Sequence, residues 1–252
     1  MMTVLTRLLC FGLLVACIPA QAATLFFEDF NSDTLTTTWR GYNTSTISGT
    51  PYGSMGFTAG AGNSPTGSIS NYMYAQNNTP NGATSPADYF FFTNTATIGA
   101  SAFSSLLPSN YDAFNATWHQ NTGGGMAGMS SYFTVQVDGA WYASTIGTAG
   151  AGNLYTLNLL TATWLPISFT AGTSMSLDTS ATGTLGSSLF GGETITGLGF
   201  YVKNLPGASP SPAVDYRTVR FEDLTISGVP EPSRAVLLGL ALGCMALRRR
   251  RA

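Results

Sequence analysis

Cysteine is missing from the body of this chain: Cys10 and Cys17 lie near the N-terminus, Cys244 near the C-terminus, and none lies between. The middle therefore folds without a disulfide and offers no thiol nucleophile. Charge is also scarce, at 9% of residues, and histidine occurs once, as His119. That leaves little for a zinc site, which draws on several His or Cys side chains. Between Ala23 and Val229 stand eleven acids and only four bases, Arg40, Lys203, Arg217 and Arg220. Such an acidic surface is a poor partner for nucleic acid, whose phosphates are bound largely through Lys and Arg. The near-neutral charge of the whole chain, −2, arises because six of its ten bases, Arg7, Arg234 and Arg248 to Arg251, sit in the terminal segments. Helical periodicity is lacking as well: no stretch reads as a convincing amphipathic helix.

The two ends carry different signals. Arg7 precedes an apolar run, Leu8 to Ala16, which is followed by Ala20-Gln21-Ala22. This is the small-x-small pattern of a secretory signal peptide, residues 1–22, cleaved by signal peptidase before Ala23. A second route stays open, because Leu14-Val15-Ala16-Cys17 resembles a lipobox whose cysteine is lipidated. At the other end, Pro230-Glu231-Pro232 is followed by a mostly apolar run, Ala235 to Leu247, and then by Arg248, Arg249, Arg250 and Arg251. Thirteen helical residues at about 1.5 Å each span roughly 20 Å, short of a hydrocarbon core of about 30 Å. The arginines favour the cytoplasmic side, which leaves the body of the chain outside.

Motif, short apolar run and arginine cluster, in that order over residues 229–252, closely resemble the PEP-CTERM sorting signal. The resemblance implies recognition by exosortase, an integral-membrane enzyme, with removal of the tail during sorting. It further implies a Gram-negative host that makes exopolysaccharide, a transient inner-membrane anchor, and a final place at the cell surface or in the extracellular matrix. The two prolines fit that role, since they disfavour helix and withhold two N–H donors, so the motif is expected to be extended and accessible. An ordinary C-terminal membrane anchor is the competing reading of the tail.

The body, residues 23–228, reads as one all-β domain. Strand signals fall at Thr24 to Asp29, Tyr72 to Ala75, Asp88 to Thr93, Ala113 to His119, Tyr132 to Val137, Trp141 to Ser144, Leu154 to Leu160, Leu198 to Val202 and Thr218 to Ile226. Phe114, Ala116 and Trp118 alternate with Asn115, Thr117 and His119, as in a strand with one buried face. Asp138-Gly139 predicts a two-residue hairpin turn between two such strands. Gly60 to Pro65 and Gly123 to Gly128 read as loops. Many short strands with glycine-rich turns give a two-sheet antiparallel β-sandwich, with a jelly roll as the preferred topology. The first strand, Phe27-Glu28-Asp29-Phe30, and the last, Phe221-Glu222-Asp223-Leu224, resemble the terminal strands of jelly-roll carbohydrate-binding modules, which often lie side by side.

Chemistry-bearing residues are few. No Gly-x-Ser-x-Gly elbow accompanies His119, so no Ser-His-Asp triad is expected. Glu28, Asp29, Glu222 and Asp223 are the only dense carboxylates, and a glycosidase would need two of them in an acid and nucleophile or base arrangement. Asp29 and Asp223 suit a structural Ca²⁺ if the terminal strands meet. Trp39, Tyr42, Trp118, Trp141, Tyr142 and Trp164 are available to stack on sugar rings, although most are expected to fill the core. The reading is a non-catalytic structural or adhesive surface domain, with an exopolysaccharide-binding module as the alternative and a secreted glycoside hydrolase behind both.

Overall fold

A computed structural model describes residues 21–30, 35–44, 55–59, 71–77, 86–123, 128–148, 153–171, 173–206 and 217–231. In chain order the strands are β1 (Ala23–Glu28), β2 (Arg40–Asn43), β3 (Met55–Ala59), β4 (Asn71–Asn77), β5 (Ala87–Asn94), β6 (Tyr111–Gly123) and β7 (Ser130–Val137). They continue with β8 (Ala140–Ser144), β9 (Asn153–Asn158), β10 (Thr163–Thr170), β11 (Ser174–Leu177), β12 (Thr184–Leu185), β13 (Ile195–Leu205) and β14 (Arg217–Pro230). All pairings are antiparallel. Helices among the described residues are short turns of three to five residues. The all-β sandwich expected from the sequence is what forms.

One sheet runs β3-β4-β14-β6-β9, with β1 also on β14, and the other runs β11-β10-β8-β7-β13-β5-β2, with β12 on β10. The alternation in β6 puts Phe114, Ala116 and Trp118 into the space between the sheets. They meet Phe133, Val135 and Phe200 of β7 and β13 there, and Phe200 stacks on Phe221 of β14 at 4.2 Å between ring centroids. Asp138 and Gly139 join β7 to β8 with φ of 48° and 76°, and Val137 pairs with Ala140 across the turn. Positive φ at both central residues matches the right-handed twist of the flanking strands.

The second sheet has a core on its other face as well. In β5, Tyr89 and Phe91 face the first sheet, while Phe90 and Phe92 join Tyr132, Trp141, Leu165, Ile167 and Tyr201 in a separate buried cluster. The sheet covers that cluster by curling. Tyr42 on β2 and Phe169 on β10 sit five strand spacings apart, about 24 Å in a flat sheet. Yet their rings lie 5.0 Å apart, edge to face. Phe169 also packs on Phe90 and Phe92, and the Lys203 ammonium on β13 donates to the Leu177 carbonyl on β11 at 2.7 Å.

Several boundaries differ from those read off the sequence. β6 continues past His119 to Gly123, because its last residues pair with Thr218 to Phe221. β14 overruns the expected domain end at 228 and takes in Pro230, which pairs with Tyr111. Strands β2, β3, β10, β11 and β12 lie outside the expected set. Residues 1–20, the loop Gly60 to Pro65, most of the loop from Gly123 to Gly128, Pro232 and the tail arginines lie outside the described residues.

Candidate functional site

The two terminal strands meet, as their similarity suggested: β1 lies against β14 with Glu28 opposite Leu224 and Ala23 opposite Gly228. β14 changes partner along that edge, from β4 over Arg217 to Phe221 to β1 over Leu224 to Gly228. A bulge falls between Glu222 and Thr225 in its pairing with β6, and Asp223 there adopts φ 53°. Asp tolerates this left-handed conformation better than most side chains, which explains why an acid interrupts the apolar pattern at that point.

Four carboxylates therefore gather where β1 leaves β14, but they are not equivalent. Glu28 is engaged on both oxygens, accepting from the Phe30 backbone N–H at 3.0 Å and from the Trp39 indole N–H at 3.1 Å. Burial pushes its pKa up, against the lowering effect of those two hydrogen bonds. Its role is to hold the turn after β1, where Phe30 has φ 57° and its ring meets Trp39 at 5.2 Å. Glu222 is buried, with 1% of its surface exposed. Asp223 is also raised, first by burial and then by the charge of Glu222, with Asp29 adding to the effect. His119 Nδ1 lies 3.5 Å from Asp223 Oδ2 and opposes that rise.

The carboxylates of Asp29 and Asp223 are thus close enough to repel. Among the described residues, however, no three His, Cys, Asp or Glu side chains are arranged to hold a metal ion. Calcium takes six to eight oxygens, so an ion at this pair would need further ligands from elsewhere. His119 sits inside β6 rather than at its end, opposite Glu222 of β14 and Leu154 of β9, with Asp223 beside its Nδ1.

The six aromatics singled out for stacking divide between the layers. Trp39, Trp118 and Trp164 are buried in the inter-sheet core, with the partly buried Tyr142 packed against it. Trp141 is buried on the outer face of the second sheet, and Tyr42 at the rim of that face is partly exposed. Phe169, not among those six, is also partly exposed beside Tyr42. Its signal was present as the alternation Leu165, Ile167, Phe169, interrupted to the eye by Pro166.

At the other chemically distinctive place, Pro230 and Glu231 are exposed at the end of β14. The Glu231 N–H donates to the Asn110 carbonyl at 3.1 Å. Ala22 and Ala23 of the expected cleavage site flank the start of β1.

Comparison with known proteins gives no matching family and no matching curated protein. Similar solved structures include an exo-β-agarase, at 12% identity and TM-score 0.42 over 85% of this chain and 26% of that one. CtCBM11 is similar at 8% identity and TM-score 0.40, over 85% of this chain and 98% of that one. TmCBM61, solved with β-1,4-galactotriose, is similar at 7% identity and TM-score 0.36, over 79% and 97%. The chain spans about a quarter of the agarase and of PfGH50B, another similar structure.

Proposed function

We propose that this chain is an exported protein of the cell surface or extracellular matrix of a Gram-negative bacterium. In this reading signal peptidase frees Ala23, the tail holds the chain transiently in the inner membrane, and exosortase processes it at Pro230-Glu231-Pro232. The observation that carries the reading is the order of motif, short apolar run and Arg248 to Arg251, beginning at the last residue of the last strand of a folded sandwich. A non-catalytic, structural or adhesive role is supported by the carboxylates: Glu28 is tied to Trp39 and Phe30, and Glu222 is buried. Intact mass of the protein recovered from its host tests the sorting. A form beginning at Ala23 and ending near the motif is expected, and a mass that retains the four arginines would overturn it.

A second reading, binding of exopolysaccharide, is favoured by the Tyr42 and Phe169 pair at the rim of the curled sheet, since partly exposed aromatic side chains suit sugar rings. Most aromatics on that face are buried, so the pair is the one part of it the described residues leave open to stacking. Tyr42→Ala should then abolish retardation of the domain in gels containing host exopolysaccharide while leaving the fold intact by circular dichroism. Unaltered migration of the wild-type domain in such gels would count against carbohydrate as the ligand.

A further inference from the structure

The sorting motif is joined to the sandwich without a stalk. β14 runs through Val229 into Pro230, which pairs with Tyr111, and the next N–H, from Glu231, is held by the Asn110 carbonyl. Proline at this position is tolerated because it ends the strand, where the lost N–H removes no interior ladder bond. The strand end is pinned from the side as well. The Tyr111 ring lies over Gly228, where an added Cβ would come within 2.5 Å of it, and the Tyr111 hydroxyl donates to the Ser105 carbonyl at 3.0 Å.

The start of the domain lies at the same place. Because β1 is antiparallel to β14, Ala23 sits opposite Gly228. The first strand therefore begins at the end of the sandwich where the last one finishes. The second sheet shares this end, since the Ile195 N–H at the start of β13 donates to the Leu106 carbonyl, two residues before the Pro108–Asn110 turn. The opposite end is marked by Ala87 paired with Leu205, and by the Asn77 amide donating to the Leu205 carbonyl at 2.9 Å. The length of β13 separates the two ends by roughly 30 Å.

From Glu231 to Ala235, where the apolar run begins, is four residues. Fully extended, they reach at most about 14 Å. We infer that, while its tail is in the membrane, the sandwich stands end-on against the bilayer on the end formed by Ala23, the Pro108–Asn110 turn and Pro230–Glu231, with Pro230 and Glu231 held against the sheet. This rests on the reading of the tail as a membrane segment. The partner of this end is the phospholipid headgroup surface, and an enzyme acting on the motif works in the gap between sheet and headgroups.

The test uses the processed chain beginning at Ala23, which lacks Cys10 and Cys17, with its tail intact and Cys244→Ser, inserted in vesicles of phosphatidylethanolamine and phosphatidylglycerol that carry an acceptor dye on their headgroups. A donor dye is placed through Ser109→Cys at the proposed end, or through Pro86→Cys at the opposite one; both positions are exposed. Strong energy transfer from position 109 and weak transfer from position 86 is expected. Equal transfer, or the reverse order, overturns the orientation. Twenty Gly and Ser residues inserted between Val229 and Pro230 should erase the difference, and its persistence would show that the strand end does not set the posture. The sorting reading fails separately, because an unprocessed anchor retains the arginines in the host while still giving the label asymmetry.

Discussion

Two carboxylates at the junction of the terminal strands show opposite sides of burial. Glu28 satisfies two donors, so Glu28→Ala would strand the Trp39 indole N–H and the Phe30 amide at a cost of about 1–3 kcal/mol for each buried donor. Urea denaturation should show that loss, and Glu28→Gln should recover part of it by keeping one acceptor. Asp223 is different, for its pKa lies above the ordinary aspartate value of 3.8 because of burial and the charges of Glu222 and Asp29. A raised carboxyl favours folding in its protonated form, so its contribution is complete below the ordinary value and is lost as pH rises through the folded one. Asp223→Asn, which also tolerates the left-handed backbone, should therefore gain melting temperature relative to the parent as pH rises from about 4 toward 7. Calcium supplies the competing outcome. If Asp29 and Asp223 hold an ion, the parent alone should melt higher in calcium and lower in chelator, and indifference to both removes the ion from consideration.

At the scale of the element, the legible features were those whose cause is local. The β7–β8 hairpin followed from Asp138-Gly139 because two positive φ values demand such residues; Gly139→Val should cost about 1–2 kcal/mol in chemical denaturation, and a smaller effect would mean the turn relaxes to another type. The run Tyr89-Phe90-Phe91-Phe92 lies in the strand expected over Asp88 to Thr93, and its unbroken apolar character fits the burial found on both faces. β10 escaped because Pro166 discourages a strand assignment, yet Pro166 pairs with Tyr142 while Leu165 and Ile167 keep to one face. β2, with Gly41 and Asn43 among its four residues, has little intrinsic preference for a strand; its order comes from pairing with Phe90 to Phe92 of β5.

For the whole molecule, the second sheet acts as a container for its own aromatic cluster. Phe90 and Phe200 are both fully buried, one on the outer face of that sheet and one between the sheets. Each truncation to alanine should cost about 3–5 kcal/mol by urea denaturation. A much smaller cost at Phe90 would mean that the outer face is a loose surface layer and not a core. The amino-acid sequence by itself determined the β-rich class, the hairpin, the alternating face of β6 and the distinctive ends of the chain, because these depend on neighbours within a few residues. Tertiary structure alone decided which aromatics stayed accessible, that β14 divides one edge between β4 and β1, and that Glu28 is consumed by Trp39. Those outcomes depend on contacts such as Tyr42 with Phe169, where sheet curvature brings distant residues together and burial removes rings that local alternation alone would have left facing water.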